Sequence, residues 1–313
     1  MNTSPKQIGL IGVGPMAALH AAALAQVEGL EIAYCTSRSQ DKADAFAVAH
    51  AIPRGRTLDS VMAAPEADAL WLVAPWEAMG PAALELGALG LPLFLEKPVG
   101  MTLEESEAVR DRLTVPHMVG LNRRYYEIIR HGVDLVAAAG GARAVEVHMP
   151  EDVSRINTSQ SARAPELWPF LNSVHLIDLF RVFAGEPEAV HAFNRGTTPA
   201  ERSFMGVIDF AGGARGLYNS QWYAPGGWRV AVYAQDLTLV YQPIEQLQVL
   251  RRGAAPEIIG PMGADAVCKA GLVGQARAFE HLLRHGALPA GAADMTEYCK
   301  SVALVAALTT VTR

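Results

Sequence analysis

The first 27 residues constrain the fold more than any other stretch. Lys6-Gln7-Ile8-Gly9-Leu10-Ile11 reads as a strand, Gly12-Val13-Gly14-Pro15-Met16-Ala17 follows without a spacer, and the alanine-rich residues 17–27 read as a helix. Strand, glycine turn and helix in this order make the GxGxxG/A fingerprint of a dinucleotide-binding unit. Gly12 permits the tight turn, Gly14 lets the backbone approach a pyrophosphate, and the small Ala17 lets helix and strand pack closely. Pro15 and Met16 open the helix, whose free amides and partial positive charge suit phosphate. The same three glycines argue against reading the apolar N-terminus as a signal peptide.

The alternation continues. Residues 30–36 predict a second strand and 41–50 a helix; residues 58–63 then precede a strand at 69–73 that ends in Ala74-Pro75-Trp76. After a helix at 80–89, Leu91-Pro92-Leu93-Phe94-Leu95 is a short apolar strand of the kind buried on both faces, and it stops at Glu96-Lys97-Pro98. A helix at 103–113, with Thr102 as cap and Glu105 three residues on, leads to a strand at 117–121. This pattern predicts an α/β class: a Rossmann doubly wound parallel sheet over residues 1–121. In such sheets ligands collect at the carboxyl ends of the strands, where Lys97 sits. The fingerprint expects an acid at the tip of the second strand to hold the ribose of NAD, but this chain has Thr36-Ser37-Arg38-Ser39. Hydroxyls and a guanidinium suit a 2′-phosphate, so NADP is expected in preference to NAD.

Beyond residue 121 strands follow one another, at 142–149, 189–194, 203–210, 215–222, 229–234, 237–241 and 247–250. Gly212-Gly213 and Gly226-Gly227 mark turns between them. Residues 122–313 are thus expected to form an α+β domain with an open, mainly antiparallel sheet. A helix at 174–184 carries His175 and Asp178 on one face, so Asp178 is expected to orient the imidazole. Helices at 273–285 and 295–311 read as covering layers.

With the glycine turn and Glu96-Lys97-Pro98, the segments Asn122-Arg123-Arg124-Tyr125 and Asn172-Ser173-Val174-His175-Leu176-Ile177-Asp178 make the chain resemble the Gfo/Idh/MocA family of nicotinamide-dependent oxidoreductases. The resemblance implies NADP or NAD held by Gly12, Gly14, Pro15, Met16, Ala17, Ser37, Arg38, Ala74, Pro75, Glu96, Lys97, Asn122 and Trp168. It implies a substrate held by Lys97, Tyr125, Asn172, His175 and Asp178. Lys97 is then the proton donor and acceptor, His175 is its catalytic partner at the nicotinamide, and Glu96 orients Lys97. The implied reaction passes a hydride between nicotinamide and the secondary alcohol or ketone of a sugar, nucleotide sugar or polyol. Reduction of an unsaturated or dicarbonyl ring compound and a non-catalytic NAD(P)-binding sensor are the alternatives. Three features depart from the family pattern: Leu171 replaces an acid, Met79 replaces a frequent histidine, and the segment from Trp168 to His175 is short. Trp168 reads equally as a nicotinamide neighbour and as packing.

Composition narrows the partners. A length of 313 residues suits about two domains. A net charge of -6 leaves no basic excess for nucleic acid or anionic membrane. Cys35, Cys268 and Cys299 form no CxxC pair, and no apolar run nears the ~18 residues of a membrane span, so a cytoplasmic protein is expected. His281 and His285 have the spacing of a zinc pair but lack an HExxH glutamate and a third ligand, so no metal is expected. Gln221-Trp222-Tyr223 and Trp228-Arg229 have aromatic faces that suit a sugar site, but they are expected in preference at a subunit interface, in a homodimer or homotetramer paired through the open sheet.

Overall fold

The computed structural model describes residues 4–156, 158–159 and 161–311. The chain separates into two units: one takes in everything up to Asn122 together with Ala264–Cys299, the other Arg123–Gly263 and the chain from Lys300 onward. This differs from a single cut at 121, because residues 264–299 rejoin the first unit.

The first unit runs β1 (Lys6–Ile11), α1 (Pro15–Leu24), β2 (Leu30–Ser37), α2 (Gln40–Ala49), β3 (Gly55–Thr57), α3 (Leu58–Ala63), β4 (Ala69–Leu72), α4 (Trp76–Gly87), β5 (Leu93–Leu95), α5 (Leu103–Arg110) and β6 (His117–Val119). The strands are parallel in the order β3-β2-β1-β4-β5-β6, so all their carboxyl ends lie along one edge. β4 and β5 are buried at every residue, as a strand covered on both faces requires. β3 escapes sequence reading because Gly-Arg-Thr offers no apolar pattern and pairs on one side only, with β2. Helix α4 starts four residues before the Gly80-Pro81 pair that suggests a beginning, with Pro75 as its cap.

The second unit begins with α6 (Glu127–Ala138) and β7 (Ala144–His148). Next come α7 (Ala164–Trp168), a π-helical turn (Pro169–Ser173) and α8 (Val174–Ala184). The strands β8 (Pro187–Ala192), β9 (Ser203–Phe210), β10 (Arg215–Gln221), β11 (Arg229–Ala234), β12 (Leu237–Tyr241), β13 (Leu247–Arg251) and β14 (Glu257–Ile259) complete its sheet. The order is β14-β13-β12-β11-β7-β10-β9-β8, antiparallel throughout except where β7 lies parallel to β10. A simple meander is therefore interrupted: β7, first in sequence, is inserted between β10 and β11. Along β9 Phe204, Ile208 and Phe210 are buried while Met205 and Val207 are exposed, the alternation of a sheet covered on one face. α8 supplies the cover and is buried at nearly every position.

Two helices close the chain, α9 (Leu272–His285) and α10 (Met295–Thr309). α9 packs on α1 and sets Phe279 edge-on against Trp71 and Phe94, at 5.4 and 5.9 Å between ring centroids. That contact, with the bonds from the Val119 amide to the Ala293 carbonyl and from the Met295 amide to His117, ties residues 264–299 to the first unit. Among the described residues no helix is long and apolar enough to cross a membrane.

Candidate active site

β1 delivers Gly12 to the carboxyl edge, where the chain passes close to the end of β4. Its φ is +126°, and a Cβ would stand 2.1 Å from the Val73 carbonyl oxygen, so glycine is obligatory for packing. The Gly12 amide donates to the Thr36 carbonyl at 3.0 Å and ties the turn to β2. Gly14 is different: its φ is -89°, and a Cβ there would meet nothing within 4 Å. Neither backbone nor packing calls for glycine at 14, and the open space above it is the room a pyrophosphate needs. α1 begins at this point without a side-chain cap, as α2 and α4 also do, while Thr57 caps α3 and Thr102 caps α5. Uncapped amides facing open space fit a dinucleotide phosphate. Gly14→Ala is expected to cost at most ~1 kcal/mol of stability yet weaken dinucleotide binding by about tenfold or more, checked by thermal unfolding beside a cofactor titration.

At the tip of β2 the Ser39 amide donates to Ser37 Oγ at 3.3 Å, which shapes a short turn carrying Arg38. Arg38 is exposed and makes no ion pair among the described residues. At the end of β4 the Ala74 amide donates to the Met79 sulfur at 3.2 Å. Met79 is fully buried, so it staples the loop through Ala74 and Pro75 instead of serving in a site.

β5 ends in Glu96 and the half-buried Lys97, and the Lys97–Pro98 peptide is cis. Glu96 corrects one expectation. Its carboxylate turns inward to His20 Nε2 of α1 at 2.9 Å, and only 8% of the residue is exposed. His20 is itself fully buried, 5.4 Å from the Trp71 ring and 5.6 Å from Phe94. Glu96 therefore fastens the exit of β5 to α1 and fixes the backbone that carries Lys97. Asn122 is 5% exposed and donates Nδ2 to the Ala270 carbonyl at 3.2 Å.

In the second unit, a second expectation is overturned. Asp178 is 1% exposed, and Arg124 donates to it from Nε and Nη2 at 2.7 Å each. Ser301 Oγ adds a third bond to Asp178 at 2.5 Å and accepts from Arg181 Nη1 at 2.8 Å. With both oxygens engaged in this buried network, Asp178 is unavailable to orient His175 or to hold a substrate. Tyr125, expected at the substrate, is 4% exposed, and burial holds its phenol well above the ordinary range. Trp222, expected at an interface, is also core: it is 4% exposed, edge-on to Phe204, and donates Nε1 to Ser220 Oγ at 3.1 Å.

His175 lies in the first turn of α8 and is 5% exposed. One turn earlier, on the π-helical segment, Asn172 donates Nδ2 to Glu151 Oε1 at 3.0 Å. The Trp168 indole, at the end of α7, lies beside the same carboxylate. Burial pushes the Glu151 carboxyl up to about 7, against the opposing effect of its neighbours Trp168 and Asn172. Sequence reasoning missed Glu151, His20 and the Arg124 clamp; an acid just past the exit of β7 was the available signal. Among the described residues no group of three or more His, Cys, Asp or Glu is placed to hold a metal ion.

A six-stranded parallel sheet with an uncapped helix behind a glycine turn, joined to a unit built on an open sheet, defines the dinucleotide-binding oxidoreductase class. Residues 6–116 match the model of an oxidoreductase family with an NAD-binding Rossmann fold, and residues 139–240 match the GFO/IDH/MocA C-terminal domain. The chain belongs to the Gfo/Idh/MocA oxidoreductase family. Glucose-6-phosphate 3-dehydrogenase of Bacillus subtilis (strain 168) is 26% identical over 152 residues, which are 47% of this chain and 43% of that protein. The chain thus matches less than half the length of this relative. A dehydrogenase from Chromobacterium violaceum superposes with a TM-score of 0.81 at 16% identity, covering 96% of this chain and 93% of that one. Levoglucosan dehydrogenase, solved with NADH and levoglucosan, gives a TM-score of 0.79 at 19% identity, covering 97% and 96%. These two likenesses establish the fold.

Proposed function

We propose that the protein is an NAD(P)-dependent dehydrogenase that interconverts a secondary alcohol and a ketone on a sugar, nucleotide sugar or polyol. The observation that carries this reading is the position of Lys97 within the first unit, on the same sheet edge as the open space at Gly14 and the uncapped start of α1. When bound, the nicotinamide supplies the hydride acceptor or donor. The backbone amides of Gly14, Met16 and Ala17 would hold the pyrophosphate, with Pro15, which has no amide hydrogen, setting the start of α1, and Ser37 and Arg38 would serve the adenosine ribose. Lys97 Nζ takes the proton from the substrate hydroxyl during oxidation and returns it during reduction. His175 hydrogen-bonds the reacting oxygen of the substrate, and Asn172 holds a neighbouring hydroxyl. A sugar is favoured over other alcohols because glucose-6-phosphate 3-dehydrogenase and levoglucosan dehydrogenase are both named for sugar chemistry.

The test is turnover with NAD and NADP on a panel holding glucose 6-phosphate, levoglucosan and common polyols, followed by the absorbance of the reduced nicotinamide. Redox change with a panel member supports the reading. Tight cofactor binding with no redox change on any member favours a sensor instead.

NADP is the proposed preference, resting on the exposed Arg38 and the absence of an acid beside it. Arg38→Ala is expected to weaken NADP binding about tenfold or more and NAD binding less than about twofold. Equal loss for both dinucleotides would remove the 2′-phosphate contact. A homo-oligomer through the open sheet is supported by Met205, Val207 and Leu217, which are exposed together on one face of β9 and β10. The free thiols of Cys35, Cys268 and Cys299 suit a reducing, cytoplasmic setting.

A further inference from the structure

Glu151 is a buried acid without a cationic partner among the described residues. It follows the exit of β7 and is 9% exposed. Asn172 of the π-helical turn donates to it, and the Trp168 indole at the end of α7 lies beside it. From β10 it faces Tyr218, whose phenol is held neutral by burial, with Ser173 and Ser220 beside that ring. The adjacent Asp152 turns away, accepting from the Ser154 amide at 3.0 Å and pairing with Arg155 at 3.2 Å. Between residues 171 and 181, Asn172 alone is not buried. The group that Glu151 grips is therefore the most exposed polar side chain of this stretch, three residues before His175.

An amide side chain has two ends with opposite hydrogen-bonding character. While Glu151 takes the Nδ2 hydrogen, Asn172 Oδ1 is the end left for a ligand. Resting on the reading of the protein as a sugar oxidoreductase, we propose that Glu151 is a positioning residue of the substrate site. Ionised, it fixes Asn172 Oδ1 as an acceptor for a substrate hydroxyl; protonated, it gains a hydroxyl donor of its own and lets the amide turn over. The proton that leaves or joins the carboxyl exchanges with solvent through the exposed fraction of Glu151. A titration near 7 places this change where small shifts in pH alter substrate affinity. The preferred ligand is a neutral polyhydroxyl compound that donates a hydroxyl hydrogen to Asn172.

The core of the proposal reads out with no ligand bound. In the full chain, the side-chain amide resonances of Asn172 are expected to titrate with a midpoint near 7 and to stay flat in Glu151→Gln. Levoglucosan, neutral at every pH, is the substrate probe. Its KM is expected to fall about fivefold to tenfold as pH rises through the Glu151 midpoint, the worth of one oriented hydrogen bond. Glu151→Gln should hold KM at the acid-side value throughout, with the change carried by KM rather than kcat, and Glu151→Asp should restore the pH dependence. An Asn172 amide that does not titrate, or a Glu151→Gln variant that keeps the wild-type profile of KM against pH, overturns the proposal. If levoglucosan is neither bound nor turned over, the sugar reading loses support while the amide titration still decides the role of Glu151.

Discussion

Lys97→Ala is expected to lower kcat/KM by about two to four orders of magnitude, the usual contribution of a positioned acid/base group. Dinucleotide affinity should change by less than about twofold, because the proposed site assigns the phosphates to the backbone amides at the start of α1. The two effects separate because Lys97 follows β5 directly while Gly14 lies at the head of α1. Glu96, held by His20 at 2.9 Å, keeps the backbone in place after the ammonium is removed. Lys97→Arg should not restore turnover, since a guanidinium does not release its proton at working pH. Steady-state kinetics beside a cofactor titration checks both halves. A Lys97→Ala protein working at wild-type speed would take Lys97 out of the proton transfer.

The second large effect is on stability. Arg124→Ala should destabilise the second unit by about 3–5 kcal/mol, because it leaves a buried carboxylate without its counter-charge. Asp178 is 1% exposed and would keep only the Ser301 hydroxyl, which cannot neutralise it. Replacing the pair together, Arg124→Met with Asp178→Leu, should recover most of that loss, since buried ion pairs often exchange for apolar residues at little net cost. Urea unfolding of the single and double variants measures the difference. A loss below about 1 kcal/mol for Arg124→Ala would mean that water reaches Asp178 and screens it.

Much of the fold was legible in the sequence because its signals are local. The glycine turn, the Thr102 cap and the fully apolar β5 each declare an element within a few residues. β3 and β14 carry no such pattern, since each is a three-residue strand held by pairing on one side. The insertion of β7 beside β10 is a long-range choice that no window of sequence contains.

The site divided along the same line. Gly14 and Lys97 stand out because strand ends announce them, but the partners of acidic groups do not follow from spacing. Helical periodicity set Asp178 beside His175, yet the aspartate is engaged by Arg124, from a segment 54 residues upstream. Glu96 likewise reaches back 76 residues to His20. In both cases a buried carboxylate was satisfied by the nearest donor in space, and the low exposure that forces the pairing becomes visible only in the folded chain.

The most direct test of the central claim, that this chain passes hydride between a sugar carbon and nicotinamide, uses a sugar substrate deuterated at its carbinol carbon. Single-turnover oxidation followed by mass analysis of the cofactor should find the deuterium on the reduced nicotinamide, with turnover slowed by the heavier isotope. Product formed with no deuterium in the cofactor, or no product from any sugar despite bound NAD or NADP, would contradict it.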